Sequence, residues 1–246
     1  HNVRAALSIR RALKKADRNR TSPFAFTGNK FEFRMPGSAL SISGPNVVLN
    51  TAVAEELRQF ADELEEAADF NSALHELIKK TIREHKRIIF NGNGYDDEWL
   101  EEAARRGLAN LKTTPDALPA FISEKSVSLF QTHKVFTKEE IEARYEILLE
   151  NYCKVLSIEA NTMLDMARRE ILPAASEYSS SLASAAVTKK TMNPAAAVGY
   201  EEKTSLRISD LTSDMLTKAE ELEDELMKAK SCGDTTEEAV YFKDHV

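Results

Sequence analysis

Apolar residues recur at three- and four-residue intervals along most of this chain, the spacing that places side chains on one face of an α-helix. Glycine and proline are few, and long stretches of the chain lack both. The helices that this pattern predicts are 46–69, 72–87, 137–172 and 201–230. Two long helices separated by a breaker are typical of an antiparallel hairpin. We therefore predict a mostly α fold built on a long helical hairpin or bundle.

The longest predicted helix begins at Thr137-Lys138-Glu139-Glu140, which is a capping-box sequence. Pro173 is expected to kink or interrupt this helix, because proline has no N–H for the backbone hydrogen bond. A helix rich in alanine and serine continues beyond it and ends before Asn193-Pro194. Cys153 lies near the apolar face of the long helix, so we interpret it as a core thiol and not as a nucleophile.

A different pattern, with period two, marks residues 19–35 and predicts a β-hairpin. Four phenylalanines alternate with other residues on both sides of Thr27-Gly28-Asn29: Phe24, Phe26, Phe31 and Phe33. In the second strand Lys30, Glu32 and Arg34 fall on the face opposite the phenylalanines. A two-stranded hairpin is marginal in water, so a helix or further strands must cover its apolar face.

The charged strand face has two interpretations. A carboxylate between two cations suits a metal or phosphate site, because Glu32 is a hard oxygen ligand and Arg34 offers a planar fork to anions. The alternative is a solvated face with alternating charges, and spacing alone favours this alternative.

Composition narrows the class of protein. Hydrophobic residues make up 42% and charged residues 30%, which is typical of a folded globular chain. The formal charge of −7 argues against a general nucleic-acid partner, and no apolar run is long enough to predict a membrane segment. The two cysteines, Cys153 and Cys232, form no disulfide framework or metal spacing, which favours a cytoplasmic location.

Both ends of the chain suggest that it is a piece of a longer protein. The chain does not begin with methionine. Residues 235–246 begin with a capping-box pattern and continue as an amphipathic run, so that the chain ends on a helix just begun. We therefore expect a truncated polypeptide.

Residues 19–34, NRTSPFAFTGNKFEFR, resemble the last active-site motif of type III glutamine synthetases. The resemblance continues through several separated blocks in the same order, which makes it specific. These blocks are 35–38, 43–46, 89–95, 110–119 and 144–152. The resemblance implies that 1–45 is the end of a catalytic domain that is α+β in the full-length parent, with the hairpin as its remnant. It implies that 46–246 is the helical C-terminal domain of the type III family.

The family joins ammonia to glutamate with ATP and Mg²⁺ or Mn²⁺, in glutamine biosynthesis and nitrogen metabolism. By resemblance, Glu32 ligates a metal ion, and Arg34 faces both the glutamate substrate and the transferred phosphate. Arg20 and Lys30 correspond to positions near the nucleotide. Many relatives have arginine where this chain has Lys30, and lysine keeps the charge but loses the fork. Ala25 stands where other glutamine synthetase classes carry a further arginine, so that contact must come from elsewhere or be absent.

The resemblance also implies that the family's other metal ligands and its glutamate-binding loop precede the matched motif. We therefore expect the isolated chain to be inactive and not to bind ATP or the metal tightly. Family members form homo-oligomers with twelve subunits, and neither a nucleic acid nor a membrane is an expected partner. The alternative function is a helical structural or oligomerisation module without chemistry of its own.

Overall fold

Helices dominate the computed structural model, which describes residues 24–26, 31–33, 40–89 and 97–246. In chain order they are α1 Ser43–Glu65, α2 Phe70–Glu84, α3 Asp97–Arg105, α4 Thr114–Ala117, α5 Glu124–Thr132, α6 Lys138–Met166, α7 Leu172–Met192, α8 Gly199–Ala229 and α9 Thr235–His245. A π-helical segment, Ala167–Ile171, joins α6 to α7. Short 3-10 turns occupy Lys86–Ile88 and Leu118–Ala120. The predicted mostly α class is confirmed.

Two short strands, β1 Phe24–Phe26 and β2 Phe31–Phe33, pair antiparallel. Phe24 lies opposite Phe33, and Ala25 lies opposite Glu32. This backbone pairing agrees with the alternation in the sequence, while the predicted turn at 27–29 lies outside the described residues. The assignment of the two strands to the end of a catalytic domain stays a prediction.

The chain divides into two compact units, His1–Asn110 and Leu111–Val246. The sequence predicts a different boundary, at residue 45, between the catalytic part of the parent protein and its helical part. That boundary stays a prediction. In the first unit α1 and α2 are adjacent, and Lys80 Nζ lies 2.9 Å from a carboxylate oxygen of Glu63.

The break between α1 and α2 comes earlier than the predicted helix end at residue 69. Asp69 has extended backbone angles (φ −129°, ψ 105°), and its carboxylate accepts a hydrogen bond from the Asn71 N–H at 3.2 Å. A residue that caps a helix in this way has a non-helical backbone, so it cannot be part of the preceding helix. Asp69 therefore ends the connection and starts α2 at Phe70.

In the second unit Pro173 does not interrupt the long helix. Proline cannot donate to the carbonyl four residues before it, and its ring would clash there in a regular α-turn. The chain adopts π-helical geometry just before Pro173, and the Leu172 N–H bonds to the carbonyl of Ala167. The wider turn lets α6 and α7 continue as one helical rod from Lys138 to Met192.

Helix α8 returns antiparallel along this rod, which confirms the predicted hairpin. Residue numbers fall along α7 and the π segment as they rise along α8 in three side-chain pairs: Lys190–Glu202, Ser179–Ser205 and Arg168–Glu223. Two aligned antiparallel helices of this length bury one face of each, as in a helical bundle.

The apolar core lies where α6, α8 and α9 meet. Its buried members are Leu149, Cys153, Ala160, Leu164, Ala219, Leu226, Ala229, Ala239 and Phe242. Helix α9 begins after Asp234, whose carboxylate accepts hydrogen bonds from Thr236 N–H at 2.8 Å and Glu237 N–H at 2.9 Å. The predicted cap at Thr235 is therefore displaced by one residue, and Thr235 is the first residue of the helix.

Two leucines on α8 test this description of the core. Leu226 is 3% exposed in the core, whereas Leu206 on the same helix is 67% exposed. We expect Leu226→Ala to lower the free energy of unfolding by about 2–5 kcal/mol, because it leaves a cavity in the core. Leu206→Ala should change it by less than about 0.5 kcal/mol. Urea denaturation followed by far-UV circular dichroism measures both, and equal effects would contradict the assigned core.

Candidate functional site

Of the four residues with predicted chemistry, the structure describes the backbone of Glu32. Arg20, Lys30 and Arg34 lie outside the described residues. Glu32 is the middle residue of β2, and its backbone is opposite Ala25. The roles assigned to these four residues from the resemblance stay predictions.

Within 40–89 and 97–246, no group of three His, Cys, Asp or Glu side chains is arranged to hold a metal ion. Among the helices that the structure describes, none has both the length and the apolar character required to cross a bilayer.

Block 110–119, one of the blocks that carry the resemblance, contains a well-defined polar cluster. The Thr113 hydroxyl caps α4 and donates to Asp116 Oδ2 at 2.6 Å, and Pro115 is buried beside it. Lys243 Nζ on α9 lies 3.1 Å from Asp116 Oδ1. We call Thr113, Asp116 and Lys243 the Asp116 cluster. It fastens α4 to α9, and its geometry indicates a structural role.

Electrostatics in the Asp116 cluster agree with that geometry. The Thr113 hydroxyl and then the Lys243 ammonium hold the pKa of Asp116 below its usual range. The Asp116 carboxylate in turn raises the pKa of Lys243. Both groups are charged at neutral pH, which is the state that favours the ion pair.

Block 144–152 also has a structural explanation. The Arg144 guanidinium carbon lies 4.3 Å from the centroid of the Phe136 ring, a cation–π geometry. Phe136 in turn packs against Phe130 with ring centroids 5.4 Å apart, and Phe130 is buried. Tyr145 and Leu149 follow on the core side of α6. This block therefore attaches α6 to α5 and to the core.

Cys153 is a buried member of the core, as the sequence predicted. Burial raises the pKa of its thiol to about 11. Because the thiolate is the nucleophilic form, a thiol with this pKa is unreactive at neutral pH.

One polar contact was missed by sequence reasoning. The buried Ser179 Oγ on α7 lies 3.0 Å from three oxygens of α8, namely the Ser205 carbonyl, Ser205 Oγ and Ser209 Oγ. Ser205 Oγ donates back to the Ser179 carbonyl at 2.9 Å. We call these three residues the serine seam. The four-residue spacing of Ser205 and Ser209 was the available signal, since it places both on one helix face.

Comparison with known proteins identifies the helical part. Residues 73–190 match the family described as "Glutamine synthetase C-terminal domain", and this part of the chain belongs to that family. The chain is 41% identical over 237 residues to a glutamine synthetase of Butyrivibrio fibrisolvens, a match that covers 94% of this chain and 33% of the relative.

Two further relatives agree. A type-3 glutamine synthetase of Dictyostelium discoideum is 46% identical over 170 residues, covering 68% of this chain and 23% of the relative. A glutamine synthetase of Bacteroides fragilis (strain YCH46) is 38% identical over 174 residues, covering 69% and 24%. The resemblance to type III glutamine synthetases is thus confirmed. The chain spans a third or less of the length of these relatives.

The Asp116 cluster gives a prediction about pH. The depressed pKa of Asp116 contributes stability that is present above the ordinary value of 3.8 and is lost as the pH falls through the folded-state value. The raised pKa of Lys243 contributes stability below 10.5 that is lost as the pH rises through its folded-state value. Lys243→Met should therefore lower the melting temperature at pH 7, and the difference should shrink at pH 3.

Melting curves of the wild type and Lys243→Met at pH 7, 5 and 3 measure this effect. Lys218→Met is the matched control, since Lys218 is exposed and forms its ion pair with Glu221 of the same helix. A loss of stability by Lys243→Met that is the same at every pH would contradict the ion pair.

The two cysteines give a second prediction. Cys232 is half-buried and Cys153 is buried. We expect one fast-reacting thiol with Ellman's reagent in the native chain and two in denaturant. Cys232→Ser should remove the fast phase. Two fast thiols in the native chain would show that Cys153 is accessible.

Proposed function

We propose that this chain is the C-terminal part of a type III glutamine synthetase, an ATP-dependent ligase that joins ammonia to glutamate. The observation that supports it most strongly is the match to the Butyrivibrio fibrisolvens enzyme over 94% of the chain. A match of that extent includes residues 19–34 together with the helical region.

In the proposed reaction, a γ-carboxylate oxygen of glutamate attacks the terminal phosphorus of ATP. γ-Glutamyl phosphate forms and ADP leaves. Ammonia then attacks the acyl carbon and loses a proton, the carbon–oxygen bond to phosphate breaks, and glutamine and inorganic phosphate are released. Arg34 would bind the substrate carboxylate and the transferred phosphoryl group through its two-pronged guanidinium. Arg20 and Lys30 would neutralise the phosphates of ATP.

Glu32 would be a ligand of Mg²⁺ or Mn²⁺, and its carboxylate is the hard oxygen donor that these ions take. The bound metal would neutralise charge on the phosphoryl group during transfer. Such an ion requires several ligands held in one geometry, and among the candidate residues Glu32 alone is a carboxylate. We therefore propose that these 246 residues alone do not bind metal and ATP tightly and have no synthetase activity.

A second function, that of a helical assembly module, is supported by the second unit. Its core of α6, α8 and α9 is complete within residues 111–246, and the α7–α8 pair extends from it. The two functions are compatible, because a catalytic protein can carry such a module for forming a homo-oligomer. We propose a cytoplasmic location, which the two unpaired cysteines support.

Glutamyl transfer in the presence of Mn²⁺ and ADP tests the ligase proposal. The assay compares the 246-residue chain with a longer polypeptide that includes the residues encoded before it. We expect activity in the longer protein alone. In that protein Glu32→Gln should lower activity by about 100-fold or more, because one metal ligand loses its charge.

Glu56→Gln is the matched control, since Glu56 lies exposed on α1. Circular dichroism verifies that both variants are folded. A longer protein that is inactive with varied metals and nucleotides, or one in which both variants retain full activity, would refute the assignment and leave the assembly module as the better function.

A further inference from the structure

The π segment, Ala167–Ile171, lies between the part of the rod that contributes to the apolar core and the part that forms the serine seam. In an α-helix each N–H bonds to the carbonyl four residues before it. Here the Leu172 N–H bonds to the carbonyl of Ala167, five residues before it. The turn therefore holds one residue more than an α-turn, and each face of α7 carries residues one position later than an uninterrupted α-helix would place there.

The exposed positions after the π segment show this shift. Ala167 is 4% exposed and lies on the same side of the rod as the core residues Ala160 and Leu164, seven and three residues before it. An uninterrupted α-helix would return to this side four, seven and eleven residues after Ala167. The side chains at those three positions are exposed: Ile171, Ala174 and Tyr178.

The residues that face inward follow those positions by one. Leu172 and Ala175 are half-buried, and Ser179 is buried in the serine seam. The inward side of the core and the inward side of α7 thus coincide because of the extra residue in the π turn.

The shift exchanges a large side chain for a small one where α7 meets α8. Ser179 Oγ lies 3.0 Å from the Ser205 carbonyl oxygen, so the backbone of α8 is within reach of a serine side chain. Without the extra residue, Tyr178 would lie at this place, whereas in the structure it is 51% exposed. A phenol ring there would push the two helices apart, because a packed interior has no room for it.

Pro173 also fits the π turn, since proline lacks the N–H that an α-turn would use at that position. Its effect is on the backbone, whereas the choice between Ser179 and Tyr178 at the contact depends on side-chain size. The two constraints can therefore be separated by substitution.

We propose that the π segment is a register device: one inserted residue that rotates α7 so that its small residues, and not Tyr178, meet α8. The contact with α8 selects this register, and Pro173 stabilises the π turn without selecting it. Removal of the inserted residue then leaves a regular α-helix with the same contacts. This inference concerns how the rod meets α8 and is independent of the ligase proposal.

Two single-residue deletions in the 246-residue chain test the device. Glu170 is exposed in the π segment, and Glu159 is exposed on α6 just before the core residue Ala160. Deletion of Glu170 together with Pro173→Ala should change the melting temperature by less than about 5 °C, because an α-helix then carries the same inward residues. Deletion of Glu159 should lower it by about 10 °C or more, because Ala160 and Leu164 turn out of the core. Far-UV circular dichroism follows both transitions.

Single thiols report the register of α7. In a Cys232→Ser background, cysteine is introduced at Ala186, which is 5% exposed, or at Val187, which is 66% exposed. We expect Ala186→Cys to react with Ellman's reagent at least about tenfold more slowly than Val187→Cys. The same difference is expected after the Glu170 deletion with Pro173→Ala, and with Pro173→Ala alone, since α8 selects the register in each.

A chain without Glu170 that melts as low as the chain without Glu159 overturns the proposal, since Glu170 then does not occupy an inserted position. Fast reaction of Ala186→Cys in the Pro173→Ala chain also overturns it, because the proline and not the contact with α8 would then hold the register. A chain without Glu159 that melts at the wild-type temperature contradicts the assumption that register matters for the core.

Discussion

Antiparallel packing of α8 on the continuous α6–α7 rod is the interaction on which the second unit depends. Helix α8 is 31 residues long and meets two different surfaces along its length. Its C-terminal half supplies Ala219, Leu226 and Ala229 to the apolar core, while its N-terminal half supplies serines to the seam with α7. Removing α8 would expose both surfaces at once. The apolar core and the serine seam are therefore two kinds of packing built on one helix, and the π turn before Pro173 keeps α6 and α7 in one rod for α8 to follow.

Similarity to glutamine synthetases reflects packing contacts in one part of the chain and proposed chemistry in another. Within the matched residues 73–190, the polar side chains described above hold elements together: Thr113 and Asp116 fasten α4 to α9, and Arg144 stacks on Phe136. These contacts account for Thr113, Asp116 and Arg144 without requiring that any of the three take part in a reaction. The proposed chemistry instead belongs to the segment around Glu32, so the family match over residues 73–190 identifies a scaffold.

Much of the fold could be predicted because long amphipathic helices leave a strong periodic signal, as in α6 and α8. The helix boundaries were harder to predict. Asp69 and Asp234 cap their helices through side-chain hydrogen bonds, and neighbouring residues in the sequence were competing candidates for the cap. The serine seam left almost no signal, because small polar residues lack hydrophobic periodicity. Alternation in the sequence predicted the strand pairing at Glu32, but its proposed role rests on resemblance. A metal site gathers ligands distant in sequence, and the spacing of Lys30, Glu32 and Arg34 cannot reveal the others.

The serine seam also affects how the two halves of the hairpin respond to temperature. Exposure of apolar surface raises the heat capacity on unfolding, whereas exposure of polar surface lowers it. Separation of α7 from α8 at Ser179, Ser205 and Ser209 exposes hydroxyl and carbonyl groups, while opening of the core around Leu226 and Phe242 exposes hydrocarbon. Cooling weakens the hydrophobic contribution in the core more than it weakens the seam. The contact between α7 and α8 at the serine seam therefore depends less on temperature than the apolar core does.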